Sequence, residues 1–193
     1  MLLKQALATG IAFSLGGTAL AAVLPTIDLP ISATTVEIAP DYSDVYYAED
    51  AEKSLLLGND GSAATGGFRT WSLDDAQPLK EVDRRTYGRT KTARFVYGVA
   101  GKDLVVTIAA PDSLIRLFEV DGLKEVTSAQ KKMLGDWSAI CPWRSPKTGW
   151  QYIYLFGKHR AVQLVIREKD EKLEVLEVRS LGAVNVDRLK KKS

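Results

Sequence analysis

From about residue 35 onward, apolar and polar residues alternate with a period of two, and no long stretch carries apolar residues at helical spacing. The alternation predicts strands over residues 35–38, 45–47, 54–57, 68–73, 80–83, 93–99, 104–109, 114–120, 152–156, 161–167 and 173–178. Turn-forming residues fall between them, at Asn59-Asp60-Gly61, Gly101-Lys102-Asp103, Asp121-Gly122, Pro146-Lys147-Thr148-Gly149 and Gly157-Lys158. Residues 127–134 are the one stretch where a short helix is expected. The pattern is that of an all-β protein.

An internal repeat narrows this reading. "RTWSLDD" at 69–75 precedes "RLFEVDG" at 116–122 by 47 residues, and "LVIREKD" at 164–170 follows after another 48. Each segment comes after a more hydrophobic strand: "SLLLGND", "DLVVTIAAP" and "YIYLFGK". About four strands per 40–50 residues is the spacing of β-propeller blades, although loose repeats of this kind also occur in β-sandwiches. Three units cannot close a ring, so the chain is expected to dimerise, to be a fragment, or to contain more units than the repeat reveals.

The first residues follow a different pattern. "MLLKQALATGIAFSLGGTALA" has one early lysine, a short apolar run and the small-x-small sequence Ala19-Leu20-Ala21, which predicts a secretory signal peptide over 1–21. The alternative is an N-terminal membrane anchor, but the apolar run is short and interrupted by Ser14, Gly16 and Gly17. Residues 22–41 read as an extended lead-in, 42–187 as the β domain and 188–193 as a basic tail. The mature protein is expected to be secreted, with no membrane contact after cleavage.

Composition excludes some chemistry. The 193 residues carry 26 basic and 24 acidic side chains, a balance that gives no reason to expect a nucleic-acid partner. One histidine, His159, cannot make a histidine-based metal triad, and one cysteine cannot make an intramolecular disulfide. Cys141, set among tryptophans in "WSAICPWRS", is expected to be a buried, inert thiol. The loop "GNDGSAATGG" at 58–67 has the glycines of a phosphate cradle, but it lacks the Walker lysine and any following helix, so a wide inter-strand turn is the simpler reading. Acidic residues Asp41, Asp44, Glu49 and Asp50 offer oxygen ligands suited to calcium, though not at EF-hand spacing. The run "RRTYGRTKTAR" at 84–94 carries Arg84, Arg85 and Arg89, whose guanidinium forks suit phosphate, or equally a solvated hairpin.

Taken in order, "KSLLLGNDGSAATGGFRTWSLDD", "DLVVTIAAPDSLIRLFEVDG" and "GDWSAICPWRSPKTGWQYIYLFGKHRAVQLVIREKDEKLEVLEVRSLG" resemble the N-terminal half of the β-propeller phytases, most nearly their secreted fungal members. The resemblance implies about three four-stranded blades of a six-bladed propeller. It also implies calcium held by carboxylates, with Asp41 or Asp44 as the ligand, and inositol phosphate held by cations. Lys158 corresponds to a phosphate-binding lysine of that family. Other family positions have changed: Asn59-Asp60-Gly61 and Ala110-Pro111-Asp112 stand where cations are expected, and Trp137 stands for a tyrosine. The implied function is therefore a secreted, non-catalytic phytase-like fragment with weak affinity for inositol phosphate or calcium. It would self-associate through exposed blade edges. The alternatives are a calcium-dependent phosphomonoesterase of the 3-phytase type hydrolysing phytate, and a truncated product without function.

Overall fold

The computed structural model describes residues 41–63, 66–110, 112–129 and 131–182. The expected signal peptide, most of the lead-in, the strand at 35–38 and the basic tail lie outside the described residues. Among those described, no helix is long and apolar enough to cross a membrane.

Among the described residues, thirteen strands build three sheets. β1 (Ser43–Tyr46), β2 (Leu55–Asp60), β3 (Gly67–Ser72) and β4 (Glu81–Thr86) form the first, as an antiparallel meander. β5 (Thr90–Val99), β6 (Lys102–Ala109) and β7 (Leu114–Glu119) form the second, with the two-residue β9 (Lys131–Lys132) at its outer edge. β10 (Trp137–Arg144), β11 (Gln151–Gly157), β12 (Arg160–Lys169) and β13 (Lys172–Gly182) form the third. Here β8 (Thr127–Ala129) leaves the second sheet's connection and lies parallel to β13. The repeat in the sequence falls on the second and third strands of every sheet, so three all-β units in series are established. None of the sheets closes on itself.

The sheets stack because their strands present apolar residues on the facing sides. Leu57 and Phe68 of the first sheet pack with Ala93, Phe95, Val105 and Phe118 of the second. The opposite face of the second sheet, with Val96, Leu104, Val106, Ile108, Ile115 and Leu117, packs on Ile140, Ile153, Leu155, Val162, Leu164 and Ile166 of the third. The second sheet is thus covered on both faces. That explains why β6 reads as a continuous apolar run, with Leu104 to Ala109 all buried, where a half-exposed strand would alternate. Each fully buried Leu, Ile or Val contributes about 1.5–3 kcal/mol.

The segment expected to be helical is instead drawn into the sheets. Thr127 Oγ1 accepts from Leu117 N at 2.7 Å, Val126 N donates to Leu117 O at 2.8 Å, and Met133 N donates to Ser113 O at 2.8 Å. These tertiary partners outweigh a weak local preference. β10 was not among the expected strands, since its tryptophans, cysteine and Pro142 conceal the alternation. It is the first strand of its sheet, with only β11 as a ladder partner, and such an edge tolerates a proline.

Candidate functional site

Strand registers sort the connections between two ends of the molecule. One end carries the β2–β3, β4–β5, β6–β7 and β11–β12 connections, and the other the β1–β2, β5–β6, β7–β8 and β10–β11 connections.

At the first end, the glycine-rich loop is held by packing. Asn59 is fully buried; its Oδ1 accepts from Tyr42 N at 2.7 Å and its Nδ2 donates to Thr90 O at 2.9 Å, joining the first sheet to the start of β5. Asp60, also buried, accepts from both the backbone and the hydroxyl of Ser62, at 2.9 and 2.7 Å. A Cβ on Gly67 would come within 1.7 Å of the Arg85 carbonyl oxygen, and one on Gly66 within 2.6 Å of the Gly88 carbonyl. The glycines are there so that β3 and β4 and their loops can approach closely, which is the role of an inter-strand turn.

The expected phosphate ligands are dispersed. Arg84 is exposed and lies 3.8 Å from Glu81. Arg85 turns its guanidinium onto backbone carbonyls, Leu123 O at 2.7 Å and Gly122 O at 2.5 Å, and pairs with Asp83. Arg89 is exposed in the β4–β5 connection. Lys158 is exposed in the β11–β12 turn, where its backbone N donates to Asp136 O at 3.3 Å. The Asp136 carboxylate in turn lies 3.7 Å from Lys91 Nζ. Asp136 therefore touches both residues, Lys91 through its carboxylate and the backbone of Lys158 through its carbonyl. Among the described residues, no hydrogen bond or ion pair joins Arg84 or Arg85 to Lys158.

The expected calcium ligands, Asp41 and Asp44, differ in their surroundings. Asp41 is exposed. Asp44 accepts from Val45 N at 3.0 Å through Oδ1 and from Phe95 N at 2.9 Å through Oδ2, with Arg94 beside it at 3.9 Å, so its carboxylate clamps β1 to β5. Among the described residues, no three His, Cys, Asp or Glu side chains gather as a metal site.

One further expectation changes. Cys141 is exposed, because its side chain alternates to the outward face of the third sheet. Trp143, two residues on, is 46% exposed on the same face, whereas Trp71 and Trp137 are buried. Trp137 is held by its indole N–H, which donates to Met133 O at 2.6 Å, and by the Arg160 guanidinium over its ring at 5.0 Å.

The opposite end holds a cleft that the sequence reading passed over. A cavity of about 780 Å³ lies between the first two sheets, lined in part by Tyr46, Leu55, Val82, Lys102, Asp103 and Glu119. A second of about 480 Å³ shares Tyr46, Ala48, Lys53 and Asp103 with it and adds Tyr47, Glu49, Asp50 and Tyr97. Tyr46 donates to Asp103 Oδ2 at 2.7 Å, and Gly98 N donates to Asp103 Oδ1 at 2.7 Å. The hydrogen bond to Asp103, with help from burial, pushes the Tyr46 hydroxyl up to about 12. Lys102 bonds to Glu119 and holds its carboxyl below the usual range. The available signal was "DVYYAED", an aromatic pair running into acids; Asp103 was legible only as part of a turn.

The chain matches no known family model, and no curated protein or solved structure is significantly similar to it.

Proposed function

We propose that the chain is a secreted, three-blade segment of a phytase-like propeller that binds inositol phosphates, or a related polyanion, without hydrolysing them. The observation that carries this reading is that Lys91 Nζ and the backbone of Lys158 both contact Asp136, at the end of the sheets that also bears Arg89. Two ammonium groups from neighbouring sheets can contact different phosphates of one ligand. The family likeness of the residues quoted above, the three meander sheets in series and their repeat of 47 and 48 residues agree with it. Weak calcium binding through Asp41 or Asp44 stays part of this reading, with Asp44 already accepting from two backbone amides. Self-association belongs to the same proposal. On the outward face of the third sheet, Trp143, Phe156 and Leu181 are each at least 40% exposed.

Calorimetric titration of the purified chain with inositol hexakisphosphate, with calcium and with chelator, tests the binding. Lys158→Ala and Lys91→Ala are each expected to weaken it about tenfold, the equivalent of about 1.4 kcal/mol. Unchanged affinity in both variants would overturn the site. Release of inorganic phosphate that stops with chelator would replace this reading with the phosphomonoesterase.

A further inference from the structure

The cleft at the other end differs from the proposed phosphate site in the chemistry of its walls. In the smaller cavity, Tyr46 and Tyr97 stack with centroids 5.4 Å apart at 13°, and Tyr47 stands beside them with 75% of its surface exposed. The Tyr97 hydroxyl accepts from Tyr47 N at 3.0 Å and donates to Val45 O at 3.3 Å, which fixes the ring against β1. Three carboxylates, those of Glu49, Asp50 and Asp103, share this space with one cation, Lys53, and Lys53 is paired with Asp50 at 3.3 Å. Asp103 is half-buried and held in place by the Tyr46 hydroxyl and the Gly98 amide. Among the described residues, no lysine or arginine forms an ion pair with it.

We propose that this cavity is a binding site for a small organic ammonium ion, with the charge facing Asp103 and Glu49 and the body of the ligand against the tyrosine rings. An anion would meet uncompensated carboxylates. A divalent metal would need several oxygens converging at about 2.3–2.6 Å, and among the described residues no three such side chains, these carboxylates included, lie close enough to hold one ion. An alkylammonium ion needs neither. It takes diffuse negative charge and the electron-rich faces of aromatic rings, which attract cations at centroid distances up to about 6 Å. The volume of about 480 Å³ suits a small molecule. Leu55, Val82 and Val120 in the adjoining cleft offer apolar surface to an alkyl substituent.

The probe is choline, set against 3,3-dimethylbutan-1-ol, which has nearly the same shape without the charge. Titration of the full-length chain, followed by NMR shifts of the tyrosine ring protons, is expected to show choline saturating and the alcohol binding at least about tenfold more weakly. Asp103→Asn, which preserves size, and Tyr97→Leu, which removes one ring face, are each expected to reduce choline affinity about tenfold. Should Asp103→Asn fail to fold, Glu49→Gln at the exposed rim takes its place, with a loss of about threefold expected. Equal affinity for choline and the alcohol would overturn the proposal. So would undiminished binding in the folded variants, or no shift with the folded parent chain at about 10 mM choline. Because inositol phosphate is proposed for the opposite end, failure of that reading leaves this titration unaffected.

Discussion

Tyr46 shows how far a residue's role can depend on partners remote in sequence. Its hydroxyl bonds to Asp103, 57 residues away, and holds its proton up to about 12 against an ordinary value of 10.0. Between those two values the unfolded chain gives up this proton and the folded chain keeps it. The stabilisation is therefore complete below pH 10 and is lost as pH rises through about 12. Tyr97, and the half-buried Tyr87 whose hydroxyl bonds to Thr107, are shifted in the same direction and steepen the loss. Tyr46→Phe is expected to lower stability below pH 10 by about 1 kcal/mol, for one hydrogen bond, and to flatten part of the alkaline slope. Urea midpoints across this range check both effects, and an unaltered slope in the variant would mean that the Asp103 bond does not persist in solution. The same dependence on remote partners governs what the expected charges touch. Arg85 and Asp44 look like free ligands in sequence because the carbonyls of Gly122 and Leu123 and the amide of Phe95, which occupy them, leave no trace in side-chain pattern.

Strands were legible where their burial follows a simple rule. β7 alternates, β6 is buried from Leu104 to Ala109, and both are legible, because one-sided and two-sided burial each leave a readable pattern. β10 was missed because an edge strand can hold Pro142 and expose Cys141 and Trp143, and β8 and β9 because two or three residues carry no period. Between elements, the least legible feature is the fastening of β1. It has only β2 as a ladder partner, and its other edge is tied to β5 by Asp44 on Phe95 N and by Arg94 on Ser43 O at 2.6 Å. Asp44→Ala removes an acceptor from a half-buried backbone amide and is expected to cost about 1–3 kcal/mol. Hydrogen exchange at the Phe95 amide is the specific readout, and it should quicken by more than the global loss of stability accounts for. If Phe95 exchange only follows global unfolding, the β1–β5 fastening lies elsewhere.

At the scale of the molecule, the repeat was the most informative feature of the sequence, since it marks the second and third strands of all three sheets. The stacking of those sheets leaves the outer ones unequal. In the first, Leu56 pairs with Trp71, which is 1% exposed. In the third, the outward rows are Ala139, Phe156, Ala161 and Leu181, then Cys141, Tyr154, Gln163 and Arg179, then Trp143, Tyr152, Val165 and Leu176. The middle row is polar and bonded within itself, Gln163 to the Tyr154 hydroxyl at 3.1 Å and Arg179 to Gln163 at 2.7 Å. Apolar rows flank it on both sides. A sheet face of this kind has the makeup of an interface core, with aromatic groups beside a few satisfied polar ones. If two copies meet there, each brings the same face, and the contact is symmetric and closed. Trp143→Ser together with Phe156→Ser then removes the aromatic anchors from both sides at once. Both side chains are exposed in the single chain, so the double variant should retain its urea midpoint while its association weakens by at least about tenfold. Sedimentation velocity over a concentration series measures this directly. A parent chain that stays monomeric at every concentration would remove self-association from the proposed function, and a double variant that associates as well as the parent would move the contact to another surface.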